Sequence, residues 1–310
     1  MPLRSVYVPP DHQATEAGIK FDTYRFYLNC VCQNLITEYS NWQGFVSLCI
    51  QRTRSLQGMQ SIDLQWIDRF MKIAWNTEYL LYLDARDPEL LRINNQWTPI
   101  QSYFAVYAAC EALSYVIDGS KADGHQKALR KATYYFVNSG LTPWNKAYQG
   151  CLGRNRSSHQ PLNFPQNLTI PHNLIRSNAD PVGMIARCLR AEHIHRVDDQ
   201  WDRRRHRSTR KYEFDPGYTS LLHFLYRLRI KSNYEEVDIF VSDAPEANIR
   251  DFANCLRQFC SWTVTYIEVV LMRKCTKRHI LDLSNAYLSV NPRAADLKAR
   301  MSYYRRTSFH

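Results

Sequence analysis

The sequence predicts an all-α fold, a bundle of helices interrupted by a long, basic and partly irregular insertion. Several windows of the 310-residue chain repeat apolar residues at intervals of three and four, and none sustains the two-residue alternation of a strand. The composition is 45% hydrophobic, with only 10 glycines and 13 prolines. These proportions suffice for a sizeable core and disfavour fibrous, repeat and linker-dominated proteins.

We predict five segments along the chain. Residues 1–58 form an N-terminal flanking segment, and residues 59–140 hold the first part of the bundle. The basic insertion occupies residues 141–215, where Pro, Asn, His and Arg replace the periodic apolar pattern. Residues 216–290 complete the bundle, and residues 291–310 form a basic C-terminal tail.

The first core helix is predicted from about Ser61 to Leu83. Asp84, Asp87 and Pro88 supply the break that follows it. One stripe of this helix faces the core at intervals of three and four residues, and it comprises Ile67, Phe70, Met71, Ala74, Glu78 and Leu81.

The second helix, from Ile100 to Ile117, is apolar almost all round and is therefore predicted to lie at the centre. Its one charged residue before the end is Glu111, four residues from both Tyr107 and Tyr115. A carboxylate in such a helix has to be satisfied by a tyrosine or an arginine in the core, or else reach a cleft.

Further helices are predicted from local patterns. The third runs from about His125 to Val137, and a short one from Pro181 to His195 lies within the insertion. Asp215 and Pro216 open a helix that continues to about Phe240. The most regular helix follows a capping box from Asp243 to Glu246 and keeps its spacing from Ile249 to Val270.

A formal charge of +11 predicts an anionic partner, with nucleic acid ahead of a membrane. Nine Lys or Arg against four acids, a net of +5, lie between Arg187 and Lys211. Flanking Trp201 and Tyr212 offer rings for stacking on bases. The alternatives are a solvated loop or a tether to an acidic partner protein. The predicted nucleic-acid-binding residues are Arg203, Arg204, Arg205, Arg207, Arg210 and Lys211.

We expect a cytoplasmic protein with no membrane partner and no cofactor. No apolar run approaches the length of a membrane span, and the nine cysteines lie mostly in apolar surroundings, as reduced core residues do. Cys188, His193 and His195 lack the spacing of a common zinc site, so no metal is predicted. Phosphate loops, nucleophile elbows and His-Glu-x-x-His helices are absent from the sequence.

Two segments resemble parts of the HEPN family of helical proteins. The first runs from Trp97 through Tyr103 and Phe104 to His125 and Leu129, and is similar to the family's aromatic and alanine-rich second helix with a histidine opening the next. The second, from Leu228 to Phe240, is similar to the motif helix of the family. The resemblance implies a bundle of four or more helices, of the kind found in ribonuclease toxins, defence systems and nucleotide-binding modules.

In active HEPN proteins an arginine and a histidine from the motif helix meet across a dimer and cleave RNA. The resemblance places Arg229 and Asn233 in the motif, and Tyr234 at the histidine position. A tyrosine with an ordinary pKa of about 10 is a poor base at neutral pH. Catalysis is therefore expected to be absent or weak, while Arg229 can hold a phosphate. Alternatively, Arg229 forms a surface ion pair with Glu235 or Glu236.

An arginine and a histidine at the family's spacing also occur as Arg190 and His195. They lie in the predicted insertion, outside the motif helix, and we keep them as second candidates for catalysis.

Three functions follow from these observations. The first is a HEPN-like protein that binds RNA or a nucleotide, in a bacterial defence or toxin–antitoxin system, with little or no catalysis. The second is a non-catalytic module for protein interaction or homodimerisation. The third is a metal-independent endoribonuclease.

Overall fold

The computed structural model describes residues 15–56, 63–84, 87–122, 124–138, 151–152, 160–161, 181–205, 218–241 and 244–309. Within these ranges the chain forms twelve α-helices and one π-helical turn, so the predicted all-α class is confirmed. The described strands are a two-residue antiparallel pair in which Cys151 lies opposite Pro161.

The first six helices are α1 (Glu16–Tyr39), α2 (Trp42–Arg52), α3 (Leu64–Asp84), α4 (Pro88–Ile93), α5 (Thr98–Asp118) and α6 (His125–Asn138). The remaining six are α7 (Pro181–Arg205), α8 (Leu221–Ile230), α9 (Val237–Val241), α10 (Glu246–Lys274), α11 (Lys277–Val290) and α12 (Ala295–Arg306). The π-turn, Lys231–Glu235, lies between α8 and α9.

Helices α5 and α10 form the centre of the structure. Helix α5 packs against α3, α6, α8 and α10, and α10 also contacts α1, α2, α4 and α11. The predicted central position of α5 is confirmed, because 15 of its 21 residues are buried. Its charged residue Glu111 is buried and accepts a hydrogen bond of 2.7 Å from the hydroxyl of Tyr107. The carboxylate is therefore satisfied by a tyrosine in the core, which was one of the two predicted alternatives.

The N-terminal helices belong to the core, although the sequence pattern placed residues 1–58 outside the bundle. Helix α1 packs along α10 and α7, and α2 packs on α10. Phe21, Tyr27 and Phe45 from these helices are almost completely buried. The aromatic and cysteine side chains of α1 supply this burial, and they do not form the simple aliphatic stripe by which core helices are usually recognised.

The predicted insertion contains a core helix as well. Helix α7 continues ten residues beyond the predicted end at His195 and packs against α1 and α8. Met184, Ile185 and Leu189 are fully buried on its inner face. The residues after Val197 are mostly charged and show no apolar periodicity. The sequence pattern therefore does not predict the extension of this helix beyond His195.

The helix predicted to continue to Phe240 is interrupted instead. After α8 the chain forms the π-turn, in which the amide of Glu236 donates to the carbonyl oxygen of Lys231 at 2.8 Å. Asp243 of the predicted capping box lies outside the described residues, and Pro245 precedes α10 without a side-chain cap.

The C-terminal segment carries the most buried ionic cluster in the described residues. Arg300 of α12 reaches Glu78 of α3 through two hydrogen bonds of 2.7 Å, and Glu268 of α10 through bonds of 3.0 and 3.1 Å. Glu268 also accepts hydrogen bonds of 2.8 Å from Trp75 and Tyr304. The predicted basic tail is therefore partly core.

The charges in this cluster depend on one another. Burial lowers the pKa of Arg300, but the carboxylates of Glu268 and Glu78 outweigh that effect and hold the pKa well above its ordinary value. Burial raises the pKa of Glu268, and the charge of Arg300 opposes the rise. Removing the guanidinium would leave two buried carboxylates without their cation.

No helix within the described ranges is both long enough and apolar enough to cross a bilayer. The eight cysteines for which the structure describes a side chain are all free thiols, and seven of them are buried.

We predict that Arg300→Ala lowers the free energy of unfolding by about 3 to 5 kcal/mol, the usual cost of breaking a buried ion pair from one side. Urea unfolding followed by circular dichroism measures the loss. Arg306→Ala is the matched control on the same helix, because Arg306 is exposed and its side-chain hydrogen bonds within the described residues go to Ser302. We expect the control to change stability by less than about 0.5 kcal/mol. Equal losses in both variants would contradict the account.

Candidate functional site

The structure brings together the two segments that resemble the HEPN family. Helix α5 supplies aromatic side chains from one segment, and α8 supplies Arg229 from the other. His125, the first residue of α6, completes the group. We call this cluster the Arg229 site, and its members are Tyr103, Phe104, Tyr107, His125, Tyr226 and Arg229.

The guanidinium of Arg229 lies among three aromatic rings. Its Cζ atom is 5.5 Å from the ring centroid of Tyr103, 5.4 Å from that of Phe104 and 5.9 Å from that of Tyr226. These distances are within the range of cation–π attraction. The rings fix the orientation of a side chain that would otherwise be flexible, so less entropy is lost when it binds a ligand.

Arg229 has no carboxylate partner among the described residues. Glu235 pairs with Arg227 at 2.6 Å, and Glu236 pairs with Lys231 at 2.7 Å. The surface ion pair considered for Arg229 is therefore not observed. In addition, the Nε atom of Arg229 is buried and has no hydrogen-bond acceptor. A buried donor of this kind costs about 1 to 3 kcal/mol unless water or a ligand satisfies it.

His125 is held beside Arg229 by the tyrosines of α5. Its Nδ1 atom is 2.7 Å from the hydroxyl of Tyr103, and its ring centroid is 4.3 Å from that of Tyr107. Burial lowers the pKa of His125, and the positive charge of Arg229 lowers it further. The imidazole is therefore neutral at physiological pH, and Arg229 supplies the positive charge of the site.

Tyr103 and Tyr107 are held as neutral hydrogen-bonding groups. The rings of Tyr103 and Tyr107 stack at 5.8 Å with an interplanar angle of 18°. Burial raises the pKa of Tyr103, and burial together with the hydrogen bond to Glu111 raises the pKa of Tyr107. Neither phenol is able to act as a base near neutral pH.

The other motif residues, Asn233 and Tyr234, lie in the π-turn. Asn233 is partly exposed, and the ring of Tyr234 is 67% exposed. π-Helical turns interrupt α-helices at a cost in regular hydrogen bonding and are frequent at functional sites. None of the aromatic contacts of the Arg229 site involves Tyr234.

Arg190 and His195 do not converge in the structure. They are five residues apart on α7, which places them about 140° apart around the helix axis. Arg190 is exposed, whereas His195 lines a cavity of about 20 Å³ with Glu192 and Lys231. Burial, followed by the charge of Arg227, lowers the pKa of His195 to about 4. This histidine is consequently neutral at physiological pH.

The basic run predicted to bind nucleic acid is described only in part. The backbone of Arg203, Arg204 and Arg205 forms the last residues of α7. Arg207, Arg210 and Lys211 lie outside the described residues. The role of this run remains a prediction.

A metal site is not evident in the described residues, because no three His, Cys, Asp or Glu side chains are grouped so as to hold an ion. His193, whose sequence spacing does not fit a common zinc site, is buried, and its Nδ1 atom lies 2.8 Å from the hydroxyl of Thr219.

No protein-family model, curated protein or solved structure matches this chain.

Sequence reasoning identified Arg229 but not the residues that surround it. The spacing of Tyr103, Phe104 and Tyr107 fits a core helix equally well. Tyr226 lies three residues before Arg229, so the two side chains share a face of α8, which was a usable signal. The sequence predicts His125 only as the residue that opens a helix.

The cavity beside His195 gives a testable pH dependence. Burial raises the pKa of Glu192 to about 8, although the charges of Arg196, Arg227 and Lys231 oppose the rise. The folded protein thus keeps a proton that the unfolded chain releases near the ordinary pKa of about 4.3. The protonated Glu192 carboxyl contributes its full stability below a pH of about 4.3. This contribution to the free energy of unfolding is lost as the pH rises towards 8.

We predict that Glu192→Gln removes this loss. The free energy of unfolding of the variant minus that of the wild type should rise by about 1 kcal/mol or more between pH 5 and pH 9. Thermal and urea unfolding at several pH values measure the difference. Glu89→Gln, at an exposed position of α4, is the control and should show a constant difference. A constant difference for Glu192→Gln as well would contradict the assignment.

Proposed function

We propose that the protein is a HEPN-like protein that binds RNA or a nucleotide at the Arg229 site and has little or no catalytic activity. The observation that carries the proposal is an arginine that is stacked on aromatic rings, without an acidic partner, and with one buried donor unsatisfied. Guanidinium groups in this state bind phosphate through paired hydrogen bonds.

The surroundings of Arg229 support a ligand that combines a phosphate with a planar base. Partly exposed Phe104, Tyr107 and Tyr226 offer ring faces or edges next to the guanidinium. Stacking of a base on such rings is tolerant of base identity. Neutral His125 adds a hydrogen-bonding group and no charge, so the affinity should depend on the single cation.

The proposal of weak or absent catalysis is supported by the position of Tyr234. Tyr234, at the histidine position of the motif, takes no part in the aromatic cluster and is largely exposed.

An imidazole nevertheless lies near Arg229, because Tyr103 contacts both groups with centroid distances of 5.5 Å. This juxtaposition favours metal-independent RNA cleavage as the second candidate function, with His125 as the proton acceptor.

We predict that Arg229→Ala weakens the binding of adenosine monophosphate at least about tenfold, since a charge-assisted pair of hydrogen bonds is lost. Isothermal titration at low salt measures the affinity. Arg229→Lys should restore only part of it, because an ammonium cannot make the bidentate contact. Arg250→Ala is the control, because Arg250 is an exposed arginine on α10 that pairs with Glu246 of its own helix.

Equal affinities of Arg229→Ala and Arg250→Ala would contradict the proposal. The same preparations incubated with labelled RNA in EDTA test the second candidate. RNA fragments that form with the wild type and disappear with His125→Ala would establish cleavage. Intact RNA together with an absence of nucleotide binding would favour the protein-interaction module.

A further inference from the structure

Arg273, near the end of α10, keeps a buried donor without an acceptor. Its Nε atom is buried and has no hydrogen-bond partner. Among the arginines whose side chains the structure describes, only Arg229 shares this feature. A buried donor is costly unless water or a ligand satisfies it. The observation that points to a ligand at Arg229 therefore also selects Arg273.

The other donors of Arg273, and those of the nearby Lys277, meet neutral oxygen atoms. The guanidinium of Arg273 donates to the carbonyl oxygen of Ile50 at 3.3 Å and to that of Phe309. The ammonium of Lys277, the first residue of α11, donates to the carbonyl oxygen of Thr307 at 2.8 Å. An anionic oxygen is a stronger acceptor for such cations than a carbonyl oxygen. Both cations are thus occupied, but neither charge is neutralised by these bonds.

A third cation, Arg54, lies close to Arg273. Burial lowers the pKa of Arg273, and the positive charge of Arg54 lowers it further. Burial also lowers the pKa of Lys277. A carboxylate beside either group would raise its pKa instead. Arg54 is exposed, and its side chain forms no hydrogen bond or ion pair with the described part of the chain.

The acids of the neighbouring helices are engaged by other residues. Asp68 of α3 lies 2.7 Å from the Nε2 atom of His279, and Asp282 of α11 pairs with Arg278 at 3.6 Å. Within the described ranges, the three cations therefore have no carboxylate counterpart. Like charges that converge without an acid attract a multivalent anion.

The segment after α12, residues 307–309, lies against two of these cations. The Cζ atom of Arg273 is 5.4 Å from the ring centroid of Phe309, and the Nζ atom of Lys277 is 5.2 Å from it. The same ring packs edge to face on Tyr304, with 6.3 Å between the centroids. Cation–π contacts at partly exposed positions are weak, so a charged ligand competes with this segment.

We infer that Arg54, Arg273 and Lys277 bind a phosphate group, which takes the place of the carbonyl oxygens of residues 307–309. We call these three residues the Arg273 site. A phosphate accepts hydrogen bonds at several charged oxygen atoms, so it satisfies the Nε donor of Arg273 together with a terminal nitrogen. The site contains no ring platform for a base, and a phosphate alone is sufficient. It also lies apart from the Arg229 site, because α2, α10 and α11 supply its residues.

Isothermal titration with inorganic pyrophosphate at low salt tests the inference. We expect Arg273→Ala to weaken the affinity at least about tenfold, because a paired, charge-assisted contact is lost. Arg54→Ala should weaken it about threefold, as the loss of an exposed charge does. Phe309→Ala should strengthen it about twofold, because the competing segment is held less firmly.

Arg54→Ala keeps the test decisive if Arg273→Ala fails to fold, because the side chain of Arg54 makes no described contact. Arg306→Ala is the matched control, since it removes an exposed arginine of α12 and should leave the affinity unchanged. The inference would be overturned if pyrophosphate did not bind, or bound equally to Arg54→Ala and Arg306→Ala. A loss of pyrophosphate binding in Arg229→Ala would place the anion at the Arg229 site and also overturn it.

Titration of the same variants with single-stranded RNA identifies the source of the phosphate. RNA affinity that falls in Arg54→Ala and Arg273→Ala would show that the Arg273 site binds a backbone phosphate. RNA affinity that is unchanged in both variants, while pyrophosphate affinity falls, would show that the site binds a free phosphate. Adenosine monophosphate binding that depends on Arg229 tests the proposed function separately.

Discussion

The arrangement of the helices depends on the buried pairing of Arg300 with Glu78 and Glu268. One guanidinium from the C-terminal helix joins α3 to α10, and each of its carboxylate partners accepts two of its hydrogen bonds. Such clusters add little net stability compared with apolar packing, but a wrong arrangement of helices would leave the charges unpaired. Helix α5 packs against both α3 and α10, so the cluster also fixes the helix that carries Tyr103.

Arg300 and Arg229 differ in how their guanidinium groups are satisfied. Arg300 is 3% exposed, and hydrogen bonds to two carboxylates satisfy it. Arg229 is partly exposed, contacts rings in place of carboxylates, and keeps a donor without an acceptor. The hydrogen-bond acceptors of Arg300 are all side chains of the protein. The buried Nε donor of Arg229 can be satisfied only by water or by an added acceptor, and this is the physical reason for proposing that Arg229 binds a ligand.

The sequence predicted those parts of the fold in which apolar periodicity decides the structure. Helices α3, α5, α6 and α10 lie within a few residues of their predicted bounds, and Glu111 is paired with a tyrosine. The sequence did not predict the parts of the fold in which charged residues are buried or helical. Arg300 lies in a segment that is basic overall, and the charged end of α7 has no apolar periodicity. The Arg229 site shows the same limit, because its rings come from α5, α6 and α8, and local spacing does not reveal that they meet.

A crystal structure of the protein with bound adenosine monophosphate tests the central claim most directly. The account predicts a phosphate oxygen within hydrogen-bonding distance of the Arg229 guanidinium and a base against a ring of the Arg229 site. A nucleotide held by the basic run at residues 203–211, with the guanidinium of Arg229 still without an acceptor, would contradict it.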